Sequence, residues 1–372
     1  MPDIGEQNTQ EKKQSLSVDA SPYLNQWLSN NKVSLALSTY QTHRLILLGI
    51  KSNGNLSLFE RLFPRAMGLH ASTERLYLCT KNQLWQFDNM LKQGQAYNEY
   101  DKLYVPRVAH VTGNVELHDV VEDKNGRIVF VNTLYSCLAT VSDKYSFEPL
   151  WRPNFITKLV PEDRCHLNGL AMRNGLPRYV TAISRSDLNS GWRDSRDSGG
   201  VVIDIENNEV VGSDLSMPHS PRYYNGKIWV LNAGAGQLGF IDEATGKFES
   251  VAFCPGYVRG LSFHGNYAVV AMSKPRHETF SGLALDDALK DKASSAKCGI
   301  HIINLESGVT ENWLHFEGMI SELYDVAVIP NVVRPMALGF KTDEINRMIT
   351  FQDGEEQYIH MLPEVGNTKP KA

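Results

Sequence analysis

The chain has 372 residues, 42% of them hydrophobic and 21% charged, with a net charge of −5 and a pI near 6.1. That length exceeds the usual ~100–200 residues per domain, so it calls for two domains or one large β architecture, and the composition is that of a folded globular protein. The acidic balance lacks the basic footprint that draws phosphate backbones, which argues against nucleic acid as partner, and no apolar run approaches the ~20 residues that span a bilayer.

Residues 1–20 are rich in Gln, Glu, Lys and Ser and have neither a basic start nor an apolar stretch, so they read as a disordered tail and not as a secretory signal. Ser21 and Pro22 then open a short helix, with Ser21 as the cap and Pro22 at the first helical position. After it come short β-branched, aliphatic and aromatic runs bounded by Gly, Asn, Asp or Pro, beginning with 33–40, 44–48, 56–62 and 75–79. This is an all-β pattern.

Six segments share one plan, an apolar strand, a polar turn and a second apolar strand. Their common points are Gly68, His118, Asn168, His219, Arg259 and Tyr324. Intervals of roughly 40–65 residues suit a four-stranded blade with variable loops. The expected fold is a six-bladed β-propeller over residues 21–354. The last repeat shows only two clear strands before a charged tail, 355–372, so the strands at 33–62 are expected to complete that blade and close the ring.

In a propeller the first strand of each blade lines the central channel. His118, Asn168, His219, Arg259 and Tyr324 therefore belong to one rim, with Asp119, Ser220 and Asp325 just below. Two imidazoles and an amide oxygen near carboxylates suit a divalent metal, so His118, Asn168 and His219 are the candidate ligands; the same residues equally fit a polar channel whose side chains bond one another and water. Arg222 and Arg259 suit an anionic ligand, because guanidinium matches carboxylate and phosphate geometry. Asp119, Arg259 and Arg222 form the candidate catalytic set; His166, Asn232, Tyr324, Asp325 and Arg276 complete the ligand-binding set. Two polar interruptions, 184–200 and 273–297, look like lid loops, the second carrying a helix through 283–290.

Other signatures are missing. There is no GxSxG, HExxH, GxGxxG or P-loop, and Gly234-Ala235-Gly236 reads as a turn because another strand follows it. The five cysteines, Cys79, Cys137, Cys165, Cys254 and Cys298, are odd in number and form no CxxC pair, which fits free thiols and a cytoplasmic location. Cys165 lies beside His166, but nothing nearby completes a nucleophile arrangement.

At LHDVVEDKNGRIVFVNT, HLNGLAM and PHSPRYYNGKIWVLN the chain resembles a bacterial family of conserved proteins of unknown function. More distantly it is similar to the gluconolactonase, senescence-marker and paraoxonase superfamily. There a divalent ion on the axis of a six-bladed propeller, held by Glu, Asn, Asn and Asp, activates a lactone or ester. That resemblance matches its Asn-Gly motif to Asn168-Gly169, while His118-Asp119 stands where the superfamily has Asn-Asp, His219 stands near its later Asp, and no Glu stands at Met67-Gly68. Imidazole in place of oxygen ligands would favour a transition metal over calcium.

The functional expectation is a metal-dependent enzyme acting on a small, anionic molecule at the propeller axis, with hydrolysis of an ester or lactone as the leading reaction. The alternative is a non-catalytic propeller that binds a ligand or serves as a scaffold.

Overall fold

Short β-branched and aliphatic runs bounded by Gly, Asn and Asp are too brief and too stiff at χ1 for long helices, and here they pair into antiparallel sheets. The computed structural model describes residues 16–275 and 282–363. Six small sheets stand in a ring and form a six-bladed β-propeller. The inner strands of the six blades are, in chain order, Leu69–Ala71, Leu117–Glu122, Leu167–Arg173, Pro218–Tyr224, Tyr257–His264 and Asp325–Pro330. All six repeats thus fall on inner strands, and one cavity of about 280 Å³ is lined by residues from every one of them.

The sixth blade is closed as expected. Its inner strand, Asp325–Pro330, pairs with Val33–Thr39, and Arg44–Ile50 and Leu56–Leu62 follow outward. Early strands and a late one therefore share one sheet, which removes the open edge of the ring.

Three features differ from the sequence expectations. Leu16–Ala20, assigned to the tail, pairs with Thr310–Gly318 as a fifth strand on the fifth blade, because its alternation turns Val18 and Ala20 onto the core while the blade edge offers free backbone groups. Glu356–Met361, also assigned to a tail, pairs with Met348–Asp353 in a hairpin that turns at Gly354, where φ is 59°. The N-terminal helix runs over Leu24–Asn31 without a side-chain cap. Ser21 is diverted: its hydroxyl donates to Asn312 Oδ1 (2.9 Å) and accepts from the Trp313 amide (3.2 Å). What anchors the helix is burial of Leu24, Trp27 and Leu28 against the fifth and sixth blades.

Between successive sheets lie apolar layers, such as Val121, Val129 and Val131 of the second blade against Leu170, Val180 and Ala182 of the third. Near the axis the inner strands of neighbouring blades approach closely. A Cβ on Gly169 would lie 2.3 Å from Pro221 Cδ of the fourth blade and 2.7 Å from Thr181 Oγ1. Gly169→Ala is expected to lower stability by about 1–3 kcal/mol through overpacking, read as a fall in the urea midpoint with unchanged m-value.

Candidate functional site

The starts of the inner strands open into a pocket of about 380 Å³ at one mouth of the channel. His118, His166, His219, Arg259 and Tyr324 line it, together with Tyr40, Arg65, Glu116, Asp163, Trp192 and Arg193. A repeated backbone device aims these side chains. Glu116, His166 and Met217 each stand immediately before an inner strand and adopt positive φ, 57°, 50° and 48°. Arg65, Asp163 and Ser190, also on the pocket wall, share that conformation. Left-handed backbone costs a non-glycine residue about 1–2 kcal/mol, and such strain clusters where ligands are held.

Two imidazoles are held in equivalent ways. His118 Nδ1 lies 2.9 Å from the carbonyl of Glu116, and His219 Nδ1 lies 2.8 Å from the carbonyl of Met217. In each case the left-handed residue two positions earlier turns its oxygen onto the ring. A carbonyl only accepts, so both Nδ1 atoms carry the proton and both Nε2 atoms present a lone pair. Thr133 confirms the sense at His118: its hydroxyl donates to Leu167 O, which leaves its oxygen to accept from Nδ1 at 2.8 Å. Neither Nε2 has a protein partner among the described residues, although both side chains are more than 90% buried.

Burial, reinforced by His166 and Arg259, holds His118 well below the usual imidazole range, and burial with the Arg259 charge brings His219 down to about 3. Both rings are therefore neutral at physiological pH. A folded-state value below the unfolded one means that the unfolded chain binds the extra proton first. Their contribution is thus present above about pH 6.5 and is lost as pH falls from there toward 3. His301, on the fifth blade, is brought to about 3 by burial and acts in the same direction. Asp325, raised to about 7, opposes them, since protonation relieves its burial as pH falls. Each fully engaged group is worth about 1.4 kcal/mol per pH unit, so three imidazoles outweigh one carboxyl, and the urea midpoint should drop steeply between pH 6 and pH 4. His219→Leu should flatten that slope.

His166 is held differently. Its Nδ1 lies 2.9 Å from Asp163 Oδ2, and the same oxygen accepts the Trp192 indole N–H at 2.8 Å. The carboxylate fixes the ring and directs Nε2 at the pocket. The 184–200 loop that carries Trp192 is tied to its neighbour by Arg164–Asp187 (2.7 Å) and by the Ser190 amide on Glu162 O (2.9 Å). Asn189, Ser190, Trp192 and Arg193 of this loop line the mouth. The other loop does form a helix, at Ala284–Asp291, but it packs its Leu285 and Leu289 on the core of the fourth and fifth blades.

On the fifth blade the Arg259 guanidinium stands 5.7 Å from the Tyr40 ring centroid and 5.5 Å from that of Tyr324, the two rings being edge to face. Tyr40 donates its hydroxyl to Glu322, and burial keeps Tyr324 protonated.

Five expected site residues lie elsewhere. Asn168 spends both side-chain atoms on blade contacts, donating from Nδ2 to Pro218 O (2.9 Å) and accepting from Thr181 (2.7 Å). Asn232 accepts from the Ser216 amide and donates to Gln237 Oε1. Asp119, Arg222 and Asp325 sit below the mouth as a hub. Arg222 donates to Asp119 Oδ2 (2.9 Å), to Leu170 O (3.0 Å) and to Leu261 O (3.1 Å), and lies 4.0 Å from Asp325 Oδ1. Asp119 accepts the Leu170 amide and Asp325 the Leu69 amide, each at 3.0 Å. One guanidinium with two carboxylates thus links all six inner strands. Arg276 lies outside the described residues. Cys165 is a buried free thiol, pushed up to about 12 by desolvation, and no nucleophile.

The axial metal of the lactonase-like pattern does not fit this donor set. Of its three expected ligands only His118 and His219 face the mouth, Asn168 is turned away, and among the described residues no three His, Cys, Asp or Glu side chains group as a metal site. Sequence reasoning undervalued Asp163, Trp192, Tyr40 and Arg65. Asp163 carried one signal, its three-residue spacing to His166; Tyr40 and Arg65 come from connections outside the repeat.

The fold and its mouth define a six-bladed propeller with a histidine-rich axial pocket. The chain belongs to the family described as Domain of unknown function (DUF4915), which matches residues 22–338. No curated protein matches it. Among solved structures it is similar to a chain of a nidogen/laminin complex at 12% identity, covering 80% of this chain and 98% of that one, TM-score 0.48. It is also similar to a catalytically inactive virginiamycin B lyase from Staphylococcus aureus with quinupristin at 9% identity, covering 81% and 99%, TM-score 0.40. A streptogramin B lyase structure matches at 11% identity over 64% and 72%, TM-score 0.38. These likenesses concern the fold alone, and the narrower resemblance to the gluconolactonase superfamily gains no support from them. Among the described residues no helix is long and apolar enough to cross a membrane.

Proposed function

We propose that the mouth is the active site of an enzyme that binds a small organic anion and transfers protons through His166, with hydrolysis of an ester or lactone as the reaction. The observation that carries this reading is the Asp163–His166 pair, at 2.9 Å, in a pocket shared with Arg259 and two further imidazoles. A carboxylate on Nδ1 fixes the tautomer and strengthens Nε2 as a base, the arrangement that general-base catalysis needs.

In the reaction, His166 Nε2 takes a proton from water as the water oxygen bonds to the substrate carbonyl carbon. Arg259 holds the substrate's acid group, and the negative charge that forms on the carbonyl oxygen is met by the hydroxyl of Tyr324, which burial keeps protonated. Collapse of the tetrahedral adduct breaks the bond to the leaving oxygen, and the imidazolium returns its proton to that oxygen. His118 and His219 bind substrate and do not act as bases, since rings held so far below neutrality take up protons poorly.

A panel of small anionic esters and lactones, with neutral analogues beside them, tests the reading. Turnover of anionic members, with Arg259→Gln raising KM at least tenfold while leaving neutral analogues unaffected, is the expected result. Tight binding without turnover across the panel would favour a ligand-binding propeller instead.

A further inference from the structure

His118 and His219 present an unusual surface to a ligand. Each has its Nδ1 proton committed to a carbonyl two residues earlier, at 2.9 Å and 2.8 Å, and each presents on the pocket wall an Nε2 lone pair that has no protein partner among the described residues. Carbonyl oxygens cannot donate, so the tautomer is fixed by the backbone and both rings are acceptors only. A ring flip that exchanged the nitrogens would leave the carbonyls facing a carbon and strand buried acceptors, which is costly.

The ring order places these acceptors relative to the charge. Arg259 belongs to the fifth blade and His118 to the second, so they face each other across the axis of a six-bladed ring; His219, on the fourth blade, flanks Arg259. The wall opposite the guanidinium and the wall beside it therefore both demand hydrogen-bond donors. His166, between them on the third blade, likewise gives its Nδ1 to Asp163.

We propose that the mouth selects small organic anions that carry hydroxyl groups: the acid group pairs with Arg259 while hydroxyls donate to His118 and His219 Nε2. This deepens the proposal of an anion-binding mouth and rests on it, though not on the hydrolytic step. An anion lacking hydroxyls leaves two buried acceptors without partners after desolvation, and sites built to bond a hydroxyl reject analogues without one. A carboxylate and a phosphate offer the same chemistry to a guanidinium, so both belong in the test.

Calorimetric titration of the full chain with matched pairs reads the selectivity directly: tartrate against succinate, lactate against propionate, and glycerol 3-phosphate against propyl phosphate. The hydroxylated member of at least one pair should bind tenfold or more tightly than its partner. His118→Leu and His219→Leu should bring that ratio to within about threefold, each variant first checked for an unchanged unfolding midpoint at pH 8, and Arg259→Gln should weaken both members alike. Equal binding within every pair, binding of neither member, or selectivity that disappears on chelation would overturn the proposal, the last because an ion would then be holding the hydroxyls. Binding is read without turnover, so a failure here is separate from a failure of the ester panel.

Discussion

Arg222→Met is expected to destabilise the chain by about 3–5 kcal/mol, the cost of leaving buried carboxylates without their counter-charge. The side chain was placed in the catalytic set on sequence grounds, yet its hydrogen bonds go to Asp119 and to the Leu170 and Leu261 carbonyls, with Asp325 nearby, and none goes to the mouth. Asp325 shows the stress of the cluster: burial, and then the neighbouring Asp119, raise it to about 7 even though Arg222 pulls the other way. Removing the guanidinium leaves two buried carboxylates side by side without it. A carboxyl raised in the folded state costs stability above its unfolded value near 4, and the cost shrinks as pH falls through the folded value. The gap between variant and wild type in urea unfolding should therefore narrow from pH 8 to pH 5. Adding Asp119→Asn and Asp325→Asn to Arg222→Met should recover part of the loss, because residues in one network are not additive. An unfolding curve for Arg222→Met that matches wild type at pH 8 would contradict the hub.

The second large effect concerns chemistry. His166→Ala should lower kcat/KM for the best substrate of the ester panel by about 10²–10⁴-fold, the usual yield of a positioned general base. Asp163→Asn should retain the ring but lose the charge that orients and strengthens it, so kcat should fall with KM little changed. Trp192→Phe removes only the indole N–H from the same carboxylate oxygen, 2.8 Å away, and should cost less than either. The order His166→Ala, then Asp163→Asn, then Trp192→Phe is the signature of a relay ending at His166. Equal activity in His166→Ala and wild type would remove the base from the account.

The architecture was legible because a propeller repeats itself. Six strand pairs of one plan, about 40–65 residues apart, marked the inner strands, and the missing outer strands of the last repeat foretold closure by 33–62, which the pairing of Ser38 with Asp325 displays. The edge strand Leu16–Ala20 was hidden because five residues of mixed polarity have no periodicity of their own; the free edge of Thr310–Gly318 gives them their conformation. At the site, the repeat correctly carried His118, His219, Arg259 and Tyr324 to one mouth. It failed for Asn168, which occupies the same repeat position as the two histidines but is short enough to reach Pro218 O and Thr181 within the wall, whereas an imidazole there folds back onto its own strand. It placed Asp119 and Asp325 just below the rim, where they lie, but their one-residue offset sends their side chains into the hub with Arg222 and not into the pocket, away from the catalytic and ligand-binding roles read for them. Tyr40 and Arg65 could not be found from the repeat at all, because they sit on connections that differ from blade to blade.

The most direct measurement of the central claim is nitrogen-15 NMR of histidine-labelled protein at pH 7, with His118, His166 and His219 assigned by single substitution. The account predicts that His118 and His219 are neutral with the proton on Nδ1, and that their Nε2 signals alone move when a hydroxylated anion binds. A proton on Nε2 in either ring of the free protein, or signals shifted by a coordinated metal and restored by chelation, would contradict it.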